Sequence, residues 1–155
     1  MVYNANLGFL GQREGGVGRP GTSNSPAASG ITINAGDIVN IDPGTTPDSY
    51  RTAPTTGTGP FWGCTETKPA GQTGVSLCYD GEFTCLAGGT IEVGSVVITD
   101  TAVAGRVITR TAEATNRIVG RYLRHHGEES GTNNSPTAAA VSEKIIIQLG
   151  AQVAT

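Results

Sequence analysis

Apolar and polar positions alternate most clearly along Ile31-Thr-Ile-Asn-Ala-Gly-Asp-Ile-Val-Asn-Ile41, and the phase shifts at Ala35-Gly36-Asp37. A period of two predicts strands, and a phase shift at a glycine predicts a turn between them. Further strand-like runs follow at Phe61 to Glu66, Gly74 to Tyr79, Glu82 to Leu86, Ser95 to Thr99, Arg106 to Arg110, Arg117 to Leu123 and Glu143 to Leu149. Short β-rich runs at this spacing predict a mainly β protein whose single compact body is an antiparallel barrel or sandwich. The stretch from Thr111 to Asn116 supplies one or two helical turns, so at most one short helix is expected. The sequence shows no internal repeat.

Residues 1–30 follow no sustained period: a short apolar head (Tyr3, Leu7, Phe9, Leu10) leads into a run rich in Gly, Ser and Pro. Such a stretch cannot bury a core of its own and reads as an extended N-terminal arm. The body is then 31–149, followed by a tail at 150–155. Between Asp42 and Pro60, the prolines at 43, 47, 54 and 60 exclude a regular ladder or helix, so 42–60 reads as a long surface loop. A second polar loop is expected over 125–142.

The pair Asp80-Gly81 stands between two strand-like runs, as in a two-residue type I′ hairpin. That register places Cys78, Phe83 and Cys85 on one face and Val75, Leu77, Tyr79 and Leu86 on the other. Both faces are largely apolar, so the second is expected to be covered, by the chain itself or by another subunit. Val75, Leu77 and Tyr79 are accordingly the candidate subunit interface.

Composition sharpens the picture. Gly 23 and Pro 8 in 155 residues, and 21 threonines against two lysines, disfavour long helices. A net charge of -3 with scattered arginines leaves no footprint for nucleic acid or a membrane surface. No run reaches the roughly 20 apolar residues of a bilayer span, and the start lacks a signal-peptide pattern, so synthesis without export is expected.

Candidate chemistry is sparse. Cys64, Cys78 and Cys85 are an odd number at spacings of 14 and 7, which suits buried free thiols better than a disulfide framework or a zinc site. His125-His126-Gly127-Glu128-Glu129 gathers both histidines beside two carboxylates, but adjacent side chains diverge and the context is a polar loop. Gly74-Val-Ser76-Leu-Cys78 lacks the second glycine of a nucleophile elbow, and Gly57-Thr-Gly59-Pro60 leads into a strand rather than a phosphate-cradling helix. Phe61-Trp62 reads as a sugar platform, an interface anchor or a core residue pair. Asn133-Asn134-Ser135 matches a glycosylation acceptor, which matters only for an exported eukaryotic protein. No catalytic residue, metal or cofactor is expected.

The order of small motifs resembles the β-rich head-decoration (cement) proteins of tailed bacteriophages. The motifs are Gly36-Asp37-Ile-Val39, Gly74-Val75 leading to Tyr79-Asp80-Gly81-Glu82-Phe83, Ile91-Glu-Val93-Gly94-Ser-Val96-Val97, Gly105-Arg106-Val107, Ile118-Val119-Gly120 and a closing strand at Ile145 to Leu149. The resemblance covers about residues 31 to 149. It implies a non-enzymatic homotrimer that is made in the host cytoplasm, sits on the outer surface of the virion capsid and clamps neighbouring copies of the major capsid protein. It also implies an arm reaching onto the shell, though no single residue carries over from the family. From the residues of this chain, Tyr3, Leu7, Phe9 and Leu10 are the candidate arm anchors, with Arg13 and Arg19 the candidates to pair acidic capsid groups. A trimeric adhesion module of a tail fibre, with Trp62 and the long loops facing a host glycan, is the alternative from another class.

Overall fold

A computed structural model describes residues 21–23, 27–28, 30–42, 51–72, 74–112, 115–125 and 138–150. Strands β1 (Gly21–Ser23), β2 (Ile38–Asp42), β3 (Arg51–Pro54), β4 (Trp62–Cys64) and β5 (Val75–Cys78) form one sheet in the order β1-β5-β4-β2-β3. Strands β6 (Gly81–Leu86), β7 (Val96–Thr99), β8 (Val107–Thr109), β9 (Ile118–His125) and β10 (Lys144–Leu149) form the other, in the order β6-β10-β9-β7-β8. All pairings within the sheets are antiparallel and neither sheet closes into a barrel, so the protein is mainly β as the alternation predicts and, of barrel and sandwich, it is the sandwich. Its helical content among the described residues is one 3-10 turn, Thr115–Arg117.

Four expectations need correction. First, Gly21–Ser23 pairs with β5 and Ala27 is fully buried, so the body takes its first strand from the stretch read as arm. An edge strand is held by backbone groups, and Gly-Thr-Ser carries no apolar period to announce it. Second, β3 lies inside the expected 42–60 loop: Pro54 pairs with Val39 at the sheet edge, where a missing N–H costs nothing. Third, the Asp80-Gly81 hairpin does not form. At Gly81, φ +93° lets the chain cross from one sheet to the other, so Leu77 pairs with Gly21 and Cys64 while Phe83 pairs with Ile147.

The fourth correction concerns repetition: the two halves are copies of one topology. Replacing β1 to β5 by β6 to β10 turns one strand order into the other. The loop bonds match as well. Gly36 N donates to Cys64 O and Cys64 N to Asp37 O; Gly94 N donates to Tyr122 O and Tyr122 N to Ser95 O. Ala27 bridges Thr52 in parallel and Ile33 bridges Lys68; Ala87 bridges Val107 in parallel and Ile91 bridges Ala139. Gly71 N donates to Ala27 O and Ser142 N to Ala87 O, each from the left-handed position of a turn, with φ 75° and 68°. In sequence only Ile33-Asn-Ala-Gly36-Asp-Ile-Val39 and Ile91-Glu-Val-Gly94-Ser-Val-Val97 resemble each other, because the connections that follow differ in length.

Each half packs an equivalent interior. Ala27, Ile33, Val39, Cys64, Val75 and Leu77 form one cluster; Ala87, Ile91, Val97, Tyr122, Ile145 and Ile147 belong to the other. The second cluster also takes in Ile38, Cys78 and, partly buried, Phe61, so the back of the first sheet closes the interior of the second half. Backbone bonds across this seam run from Ile38 N to Gly105 O, from Gly105 N to Thr55 O and from Gly59 N to Asn116 O. Arg117 clamps it further: Nη2 donates to Thr56 O and Thr99 O at 2.7 Å, and Nε to Thr99 Oγ1 at 3.1 Å.

Candidate interaction surface

Val75 and Leu77 are 0% and 5% exposed inside the first cluster, which removes them from any subunit interface. The apolar second face that suggested such an interface is covered by the chain's own Ala27 and Ile33. Tyr79 remains 40% exposed at the crossover between the sheets. The arm residues Tyr3, Leu7, Phe9, Leu10, Arg13 and Arg19 lie outside the described residues, as do His126, Glu128 and Glu129.

All three cysteines are free and buried, as their spacing suggests. Cys64 Sγ donates to Glu66 O at 3.0 Å and Cys78 Sγ to Asp80 O at 3.1 Å. Burial pushes the Cys64 and Cys85 thiols up, which suppresses the nucleophilic thiolate. Cys64 and Cys85 line an open groove of about 430 Å³ along the seam, with Gly36, Thr65, Phe83 and Lys144.

His125 ends β9 rather than opening a loop. Its Nδ1 lies 3.3 Å from the hydroxyl of fully buried Tyr122, and its Nε2 lies 2.6 Å from Glu143 Oε2. The Glu143 carboxylate is held below its ordinary range first by the Ala140 backbone N–H, which donates to Oε2 at 2.8 Å, and then by His125. Both imidazole nitrogens are therefore committed to protein groups, and the chain of contacts staples β9 to the turn at 140–143. Among the described residues, no three His, Cys, Asp or Glu side chains gather in a metal-binding cluster.

Phe61, just before β4, packs against the second cluster and Trp62, its first residue, against the first, so they share no aromatic platform. The outer face of the second sheet is mixed: Ile146, paired with Thr84 and Arg124, is buried there beside polar groups. Arg124 reaches across β10 and grips Glu82 with both arms of its guanidinium, at 3.1 and 3.0 Å, and Arg121 Nη1 donates to Gly94 O at 2.5 Å.

Exposed aliphatic residues sit on turns: Val93 at 43%, Val103 at 44% and Val141 at 59%. Arg106 joins the last two turns, since its backbone N–H donates to Val103 O and its Nη1 donates to Ser142 Oγ at 3.2 Å. Ser142 occupies the left-handed region that favours glycine, a position costing about 1 kcal/mol or more for other residues. Arg106 thus ties the turn that carries Val103 to the turn that carries Val141. Sequence patterning missed this meeting of turns because isolated valines in loops carry no period; only the positive φ and the Arg106 tie mark it. A scan against protein-family models and a search of curated proteins found no match to this chain.

Proposed function

We propose that the chain is a capsid decoration protein that binds the outer surface of a phage head as a homotrimer and clamps neighbouring copies of the major capsid protein. The observation that carries this reading is the exposure of Val103 and Val141 on turns that Arg106 ties together, on a protein whose buried thiols and His125 are tied up within its own fold. Short turns with exposed aliphatic tips suit contact with a second protein. The motifs behind the resemblance to cement proteins fall on the strands and turns of both halves. In this reading the arm adds contacts through Tyr3, Leu7, Phe9 and Leu10, with Arg13 and Arg19 against acidic capsid groups. Three arms on one trimer raise avidity, so each contact can be weak.

Co-sedimentation with assembled phage shells tests the reading. The wild-type chain is expected to pellet with shells, and Val103→Asp combined with Val141→Asp to stay in solution while remaining folded. Light scattering should give a mass near three times 15.8 kDa. A folded chain that binds glycans and ignores shells would replace the capsid reading with the fibre one.

A further inference from the structure

The repeat lets one face be followed from the first half to the second. The outer face of the first sheet carries Ile38, Gly63 and Cys78, and it is already an interface: Ile38 and Cys78 belong to the second cluster, and a Cβ at Gly63 would strike the Phe83 ring. The equivalent positions of the second sheet are Val96, Arg121 and Gln148, so charge has entered this face. Register aligns Glu82, Gln148, Arg121 and Val96 across it, and Arg110, whose N–H donates to Val96 O, stands one strand further along. On the same face Arg124 lies opposite Ile146, and Lys144 opposite Leu86. Among the described residues of this face, four of the chain's ten Lys and Arg thus stand against one carboxylate, Glu82, although the net charge of the chain is -3.

We propose that the outer face of the second sheet docks an acidic patch of another protein, with Arg110, Arg121 and Lys144 as its electrostatic anchors. Glu82 neutralises only Arg124, which grips both of its oxygens. Arg121 donates one nitrogen to Gly94 O and keeps its charge, and among the described residues the side chains of Arg110 and Lys144 have no hydrogen-bond or ion-pair partner. Glu92, on the adjoining turn at 92–95, pairs with none of them. From strand spacing, the three anchors span roughly 20 Å, the size of a small interface patch. Two features select a protein rather than a phosphate backbone. The aliphatic side chains of Leu86, Val96 and Ile146 lie between the cations, and arginine mixed with apolar groups suits a protein interface. A compact acidic patch also stays on the cationic face, whereas a long phosphate backbone would run on over a chain that is otherwise net negative. The inference stands on the repeat and this placement of charge, apart from the capsid reading.

The probe is an octapeptide of alternating Glu and Val, titrated at low salt into the full chain labelled with nitrogen-15, with amide NMR shifts as the readout. The shift changes are expected to concentrate on β6, β9 and β10 around Arg121 and Lys144, and the affinity to fall as salt is added. Arg110→Glu and Lys144→Glu should each weaken binding by about fivefold, whereas Lys68→Glu, an equal change in net charge on the first half, should weaken it by less than about twofold. The same spectra report whether each variant is folded, and Arg110→Gln and Lys144→Gln should fall between the wild type and the reversals. Shift changes spread evenly over the molecule, an equal loss in all three reversals, or no binding at low salt would overturn the proposal. Tighter binding of a short DNA duplex at the same residues would also overturn it, by assigning the face to nucleic acid. Shell binding is measured separately by co-sedimentation, so the capsid reading and this one can fail independently.

Discussion

The seam between the halves rests on a close approach that one methyl group should break. Gly63 pairs with Ile38 and Cys78, and a Cβ at that position would lie 2.5 Å from two atoms of the Phe83 ring and 2.7 Å from a third. Ordinary carbon contacts are about 3.5–4.0 Å, so the ring must withdraw by roughly 1 Å. Phe83 is 7% exposed within the second cluster and has nowhere to go without moving its neighbours. Overpacking of this kind costs about 1–3 kcal/mol. Gly63 is not among the glycines with positive φ, so alanine recovers about 0.4–1 kcal/mol through the lower entropy of the unfolded chain. Gly63→Ala should therefore destabilise by about 1–2 kcal/mol, which lowers the melting temperature by roughly 2–8 °C at this chain length. Thermal and urea unfolding measure the loss, and a cycle with Phe83→Leu identifies its source: once the ring is replaced by the smaller leucine side chain, the alanine should cost little or nothing. A wild-type melting temperature for Gly63→Ala, or an equal cost with and without Phe83→Leu, would refute the argument.

Three further outcomes are expected. Ser142→Gly should raise stability by about 0.5–1 kcal/mol in urea titrations, since relief of the left-handed strain outweighs the exposed contact with Arg106; Gly71→Ala, at the matching turn, should lower it by about 1 kcal/mol. Arg124 holds the Glu82 carboxylate below its ordinary range, so the folded state binds fewer protons there than the unfolded chain, and the stabilisation present above about pH 4.5 is lost as pH falls through the lowered value. Glu66 and Glu143 act in the same direction, while burial raises Asp37 and opposes them. Glu82→Gln should flatten the fall in urea midpoint between about pH 5 and 3; a slope identical to that of the wild type would count against the pairing. Finally, Ellman's reagent should label the three buried thiols only as urea unfolds the chain, and prompt labelling of any of them in buffer would contradict their burial.

The sequence by itself determined the class of the fold. Alternation and turn glycines marked each of the seven runs beyond Pro60, and each contains a strand, because a half-buried strand must place apolar side chains at a period of two wherever it pairs. Alternation likewise grouped Cys78, Phe83 and Cys85 apart from Val75 and Leu77, and those groups are the two interiors. Pairing was decided only by the tertiary structure. Facing is a local property of a strand, whereas partnership depends on where the chain goes next, and Gly81 permits a crossover as readily as a hairpin. The strands β1 and β3 escaped notice because edge strands held by backbone bonds tolerate Gly, Thr and Pro. The repeat was hidden for a related reason: topology is preserved by backbone bonds and by the size of buried groups, which leaves residues such as Trp62 and Gly120, or Gly63 and Arg121, free to diverge. The tie that Arg106 makes between the Val103 and Val141 turns exists only because the fold brings separate turns together, and no local pattern along the chain records that meeting.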